Sequence, residues 1–257
     1  MITLLTDFGN DAYVGIMKGV IYRIHPQAAV ADITHHIQPQ AVSQASFIIK
    51  SACSYFPRGT VHCIVVDPGV GTKRNILIAS LDSMTFLAPD NGVLTSVLDT
   101  EQNYQLYKLT ESSFFPEHVS HTFHGRDIFA PVAACLDKGI HAEEMGIPVQ
   151  DYLKLPSQNP VITSNGIQGQ ILFFDGFGNG ITNIPESLLY NCRIHQISIG
   201  KTCLKGIHET YSDVEDSSPL VLINSYQHLE IAVRNGSARE QLNLQKGQTL
   251  EIQITKG

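Results

Sequence analysis

Apolar and polar positions follow two different rhythms along this chain, and the rhythm changes near residue 155. In the first part, short apolar runs alternate with stretches at helical spacing. Ile2 to Leu5 predicts a strand that closes on Thr6-Asp7-Phe8-Gly9. Tyr13, Val14, Met17, Val20, Ile21 and Ile24 then predict a helix, with Asn10 or Asp11 as its cap. Val30 to Ile33 predicts a second strand, and Val42 to Phe56 a helix with Ala45, Ile48, Ile49 and Ala52 inward. His62 to Val66 predicts a strand buried on both faces, as in a parallel sheet. Ile76–Ala79 and Thr85–Ala88 suggest a hairpin, which would mix the strand directions, and Val93 to Leu98 opens a short helix. Ile128, Phe129, Val132, Ala133 and Leu136 predict a last helix, and Pro131 places its start near Asp127.

Leu155 to Pro160 has the composition of a linker. Beyond it the runs are short and alternating: Gly166 to Phe174, Cys192 to Ile199, Leu220 to Ile223, Leu229 to Val233 and Leu250 to Ile254. The expected architecture is an N-terminal α/β domain, residues 1–154, with a mostly parallel central sheet. A small C-terminal all-β domain, residues 166–257, follows it.

Composition narrows the function classes. With 43% hydrophobic and 16% charged residues the chain is globular, and its net charge of −7 argues against nucleic-acid binding. That balance suits a cationic small ligand without identifying one. The five scattered cysteines form no Cys-x-x-Cys and read as buried thiols in a reducing compartment. The N-terminus turns polar too early for a signal peptide, and no run approaches a membrane span, so the expectation is a soluble, cytoplasmic protein without a membrane partner.

The chemistry concentrates at predicted strand ends. Asp67 ends the buried run, two glycines and a proline turn the chain, and Arg74 follows seven residues on. Ligands of open α/β sheets sit beyond the carboxyl ends of strands, so the pair is either a structural ion pair or half of a reactive site. Asp7 ends another strand and would share that crevice. Asp11 is either an N-cap or a ligand, and His124 lies just outside a helix, flanked by Gly125 and Arg126. His35-His36 lacks metal-ligand spacing and reads as loop, and Asp90 reads as turn chemistry. Asp175 to Asn179, with Asn183, reads as polar groups on a glycine-loosened loop. No dinucleotide fingerprint, P-loop, nucleophile elbow or zinc spacing is present.

Six motifs together resemble a known family. They are Thr6-Asp7-Phe8-Gly9 with Tyr13-Val14-Gly15, Met17-Lys18-Gly19, Asp67 to Thr72, Ala88 to Gly92, Thr122 to Asp127, and Asp175 to Asn179. From residue 3 to about residue 235 this order is similar to the S-adenosyl-L-methionine (SAM) hydrolases, or SAM hydroxide adenosyltransferases, relatives of the bacterial fluorinase and chlorinase. The resemblance implies a C-terminal β-barrel and a homotrimer with SAM held between neighbouring subunits. It implies a water-activating set at Asp67, Arg74 and His124, and a ribose-binding acid at Asp7. It also implies nucleoside contacts from Asn179, Ser225, Glu230 and Val233, the last largely through its backbone. No cofactor is implied, since SAM is the substrate, and no metal. The Asp7–Asp11 spacing is one residue shorter than the family pattern, which leaves Asp11 without an assigned role.

The residues suit that chemistry independently. Attack at the 5′ carbon of a sulfonium expels a neutral thioether, which needs no acid catalyst. The difficulty is water, whose pKa is about 15.7. A carboxylate or an imidazole can accept its proton, and a guanidinium offers fixed positive charge. Two rivals remain. A halogenase of the same family would lack the acid at Asp67, would carry Tyr-Ser in place of His124-Gly125, and would have a longer loop between Gly92 and Phe114. A SAM- or adenosine-binding sensor would need Asp7 and Asn179 but no Asp67-Arg74-His124 set.

Overall fold

The structure, a computed structural model, describes residues 1–164 and 166–256. Gly257, the last residue of the expected β domain, lies outside the described residues. The chain divides into two compact units, residues 1–156 and 157–257. Among the described residues no helix is long and apolar enough to cross a membrane.

The first unit carries β1 (Ile2–Thr6), α1 (Tyr13–Ile24), β2 (Val30–Thr34), α2 (Val42–Cys53), β3 (Thr60–Val65), β4 (Ile76–Leu81) and β5 (Met84–Pro89). Then come α3 (Thr95–Leu98), β6 (Tyr104–Leu109), α4 (Ala130–Asp137), α5 (Ala142–Met145) and β7 (Gly146–Pro148). Strand residues alternate between two cores, because successive side chains point to opposite faces of a sheet. Leu4 and Cys63 pack on one side with Met17 of α1 and Phe129. Leu5 and Ile64 pack on the other with Ile49 of α2 and Phe86. This is why β1 and β3 are buried along their whole length. Helix α1 buries Val14, Met17 and Ile21. Its cap position falls on Ala12, with no side-chain capping bond, so the expected Asn10 or Asp11 cap is not what starts it.

The seven strands run in the order β2-β1-β3-β5-β4-β6-β7. Pairs β2–β1, β1–β3 and β3–β5 are parallel, and β5–β4, β4–β6 and β6–β7 are antiparallel. The sheet is therefore mixed, not mostly parallel. The β4–β5 hairpin reverses the direction, and β6 and β7, which the apolar pattern did not signal, continue the reversal. The carboxyl ends of β1 and β3 lie side by side, with Thr6 opposite Val65, so Asp7 and Asp67 emerge at one edge.

The second unit contains β8 (Val161–Ile162), β9 (Gly166–Phe174), β10 (Gly180–Pro185), β11 (Cys192–Ile199), β12 (Thr202–Leu204) and β13 (Pro219–Ile223). β14 (His228–Val233), the single helical turn α6 (Ala238–Gln241) and β15 (Thr249–Lys256) complete it. Its antiparallel sheet, ordered β12-β11-β15-β9-β10-β14-β13 with β8 on β9, is nearly closed and barrel-like. Asn183 is not a loop residue: it is buried in β10, where it accepts from the Gln170 amide (2.7 Å) and donates to the Gln158 carbonyl (2.6 Å). The thiols differ in setting. Cys53 and Cys63 are buried, Cys135 and Cys192 are half-buried, and Cys203 is exposed, contrary to a uniformly buried set.

A buried histidine makes the first unit pH-sensitive. His62 is fully buried, with Nδ1 2.7 Å from Thr3 Oγ1 and its ring stacked on Phe86. Burial pushes its pKa down from 6.5 to about 4, because the interior penalises the imidazolium. The unfolded chain therefore takes up the proton first, so stability is present above pH 6.5 and is lost as pH falls towards 4. Roughly 2 kcal/mol should be lost by pH 5 through this group. Urea midpoints of His62→Asn between pH 7 and pH 5 should fall less steeply than those of the wild type. Equal slopes would refute the assignment.

Candidate active site

Beyond the end of β3 the chain turns through Asp67-Pro68-Gly69-Val70-Gly71, with Val70 N–H donating to the Asp67 carbonyl (3.2 Å). The turn returns Arg74 to Asp67. Arg74 Nε donates to both carboxylate oxygens (2.9 Å each), and Nη2 donates to Oδ2 (2.5 Å). Their side chains are only 10% and 5% exposed, so the pair is shielded where charge interactions are strong. Arg74 also lies over the Phe129 ring at 5.7 Å.

The third group arrives from a distant segment. Residues Gly125–Phe129 form a wide helical turn that leads into α4, and His124 sits just before it, as the proline spacing predicts. Arg74 Nη2 donates to His124 Nδ1 at 2.7 Å. A guanidinium offers only N–H donors, so Nδ1 must present its lone pair and the ring proton belongs on Nε2. This contact therefore requires the neutral Nε2–H tautomer. Burial, then the Arg74 charge, lowers the His124 pKa from 6.5, which keeps the ring neutral at pH 7. Gly71 lets the two segments approach. Its φ is +76°, and a Cβ there would stand 2.3 Å from the His121 carbonyl oxygen.

Asp7, Asp67 and His124 line one cavity of about 200 Å³, together with Phe8, Gln40 and Phe123. Asp7 Oδ2 accepts from the Gln40 amide at 2.8 Å. Asp11 is exposed and Asp90 accepts from Leu153 N–H (2.8 Å), a structural tie. His35 reaches Thr6 Oγ1 (3.0 Å) and lies 3.1 Å from Asp32.

The second unit has its own cavity, of about 640 Å³, lined by Ser225 and Glu230 with Asp175, Phe177, Tyr211 and Tyr226. Glu230 is 2% exposed, and Tyr211 Oη donates to its Oε1 at 2.7 Å. Burial raises its carboxyl pKa above the usual range. Asn179 is buried behind the wall: its Nδ2 donates to Asp175 Oδ2 (3.0 Å), and Asp175 Oδ1 accepts from the amides of Phe177 and Asn179. The Val233 side chain lies in the core, and its carbonyl accepts from Gly236 N–H (3.1 Å). Sequence reading left out Gln40 and Tyr211. Nothing local marks Tyr211, whereas Pro39 ahead of Gln40 marks a turn beside the first crevice. Among the described residues no three His, Cys, Asp or Glu side chains gather as a metal site.

Known proteins resemble this chain over nearly its whole length. The model for the SAM hydroxide adenosyltransferase N-terminal domain matches residues 2–146, and that for its C-terminal domain matches residues 169–251. The chain is 34% identical to an (R)-S-adenosyl-L-methionine hydrolase of Thermus thermophilus, over 96% of this chain and 97% of the relative. A more distant likeness, 25% identity over 98% of this chain and 96% of the relative, is to a fluorinase of Actinopolyspora mzabensis. A crystal structure of an uncharacterized conserved protein from Thermotoga maritima superposes with a TM-score of 0.90 at 38% identity, covering 98% of this chain and 100% of that one.

Gly71→Ala combines a strained φ with a backbone clash, so it should separate the two segments. The expected loss is about 2 kcal/mol, or a drop in Tm of roughly 4–8 °C, read by calorimetry. An unchanged Tm would show that this approach does not hold them together.

Proposed function

This chain belongs to the SAM hydroxide adenosyltransferase family, and we infer that it hydrolyses S-adenosyl-L-methionine to adenosine and L-methionine. The observation that carries the mechanism is the hydrogen-bonded Asp67–Arg74–His124 group, of which Asp67 and His124 line a cavity with Asp7. Water must attack the 5′ carbon in line with the departing sulfur. Asp67 is the acceptor for the water proton. His124 cannot serve as the base while Arg74 donates to Nδ1, so it steadies the attacking oxygen through its Nε2–H. Arg74 holds both in register, and the neutral thioether leaves without help.

The substrate is held by two sets of groups. Asp7 accepts from the vicinal hydroxyls of the ribose. In the second unit Ser225, Glu230 and Asn179, with the Val233 backbone, hold the nucleoside. We assign water activation to residues 1–154 and completion of the nucleoside site to a β-barrel of residues 166–257. A cytoplasmic homotrimer is the proposed working form, with no metal or cofactor. The (R) sulfonium epimer is the proposed substrate, after the name of the Thermus relative.

The halogenase reading loses because Asp67 and the His124-Gly125 pair are both present. A carboxylate beside a halide is a like-charge contact, costly where water is excluded. The sensor reading has no use for the buried Asp67–Arg74–His124 contacts.

In 18O-labelled water, EDTA-treated protein given the (R) epimer of SAM should place the heavy oxygen in adenosine and release unlabelled methionine, and the (S) epimer should turn over more slowly. Asp67→Asn and His124→Ala should each slow turnover by roughly 10²–10⁴-fold. Turnover lost to EDTA and restored by a metal would overturn the metal-free mechanism. 5′-Chloro-5′-deoxyadenosine without labelled adenosine at high chloride would favour the halogenase. Sedimentation should show a trimer at assay concentration, and an active monomer would refute that assembly.

A further inference from the structure

Three features independent of the Asp67–Arg74–His124 group converge on the loop that carries Asp7. Gln40 has φ +64°, a left-handed conformation that a residue with a Cβ adopts at a cost. Its N–H donates to Asp7 Oδ2 at 2.8 Å, across 33 positions of sequence. The loop is also tied to His35, whose carbonyl accepts from Gly9 N–H (2.7 Å) and whose Nδ1 lies 3.0 Å from Thr6 Oγ1. The Asp7 loop therefore takes its shape from the segment between β2 and α2.

We propose that Gln40 is a positioning residue for Asp7, and that its left-handed backbone serves to aim one amide at that carboxylate. The proposal rests on the reading of Asp7 as the ribose acid. The Gln40 carbonyl accepts from Val42 N–H (2.9 Å), and Ala41 N–H donates to the Gln38 carbonyl (2.9 Å), so the turn into α2 is closed on both sides of Gln40. A negative φ at Gln40 would misdirect either its N–H or the entry into the helix. With Oδ2 held by that amide, the carboxylate cannot rotate freely, and Oδ1 remains to meet a pair of hydroxyls. The donor is a main-chain group, so what matters at position 40 is tolerance of positive φ and not the carboxamide.

A four-member series separates those possibilities: Gln40→Gly, Gln40→Asn, Gln40→Ala and Gln40→Val. Glycine and asparagine accept a left-handed backbone, alanine does so less readily, and β-branched valine resists it. Adenosine affinity by calorimetry, with KM and kcat for SAM, gives the readout. Gly and Asn should rescue binding to within about threefold of wild type. Val should weaken adenosine about tenfold and raise KM in parallel, with kcat changed about twofold or less. If Val does not fold, Ala should fall between Gly and that loss. Equal weakening by all four, Gly included, would assign the effect to the carboxamide and overturn the proposal, as would wild-type binding by Ala and Val. Asp7→Ala is measured alongside. If it binds adenosine normally, the ribose reading itself fails. If it weakens binding while Val does not, only the role of Gln40 fails.

Discussion

The Arg74 guanidinium decides the chemical state of everything around it. It can only donate, so each group it touches must accept. Asp67 is held as a carboxylate acceptor on both oxygens, and His124 presents its Nδ1 lone pair. One side chain thereby fixes the His124 tautomer, while burial, then the Arg74 charge, lowers the pKa of that ring from 6.5. It does so between segments 50 residues apart, which meet because Gly71 leaves room for the His121 carbonyl. Without that approach Asp67 and Arg74 would form a plain ion pair at a strand end.

The acids of the two units are held in different ways, and each way suits a different task. Asp7 is steadied by a main-chain amide on one oxygen, which leaves the other oxygen free of that bond. Asp67 is gripped by a cation, which offsets its charge. Glu230 is buried beside the Tyr211 hydroxyl that donates to it, and burial raises its carboxyl pKa.

The sequence disclosed what local rules govern. Short, largely apolar runs gave β1 and β3, helical spacing gave α1 and α2, and Pro131 located the helix start close to His124. The mixed sheet was only hinted at, because β6 and β7 owe their place to pairing with β4 and to each other, not to their own pattern. Asn183 looked like a loop residue since a buried amide in a strand is indistinguishable from an exposed one until its partners, Gln170 and Gln158, are known. Asp67 and Arg74 were legible as a pair because a short turn joins them. That Arg74 also reaches His124, and that Gln40 reaches Asp7, are tertiary facts that spacing does not encode.

The grip on Asp67 bears on why water, and not the enzyme, attacks. A free carboxylate beside a sulfonium would form a tight ion pair and would itself be a competent nucleophile at the 5′ carbon, ending as an ester. Three Arg74 hydrogen bonds occupy lone pairs on both oxygens, and the guanidinium cancels most of the field felt by an approaching cation. The lone pair that remains on Asp67 can accept a hydrogen bond, and both oxygens are less available to attack carbon. The same neutral pairing keeps the substrate from being held more strongly than the transition state, in which the sulfonium charge is already disappearing. The ion pair thus leaves Asp67 an acceptor for water in the proposed mechanism while disfavouring its own attack on the sulfonium carbon.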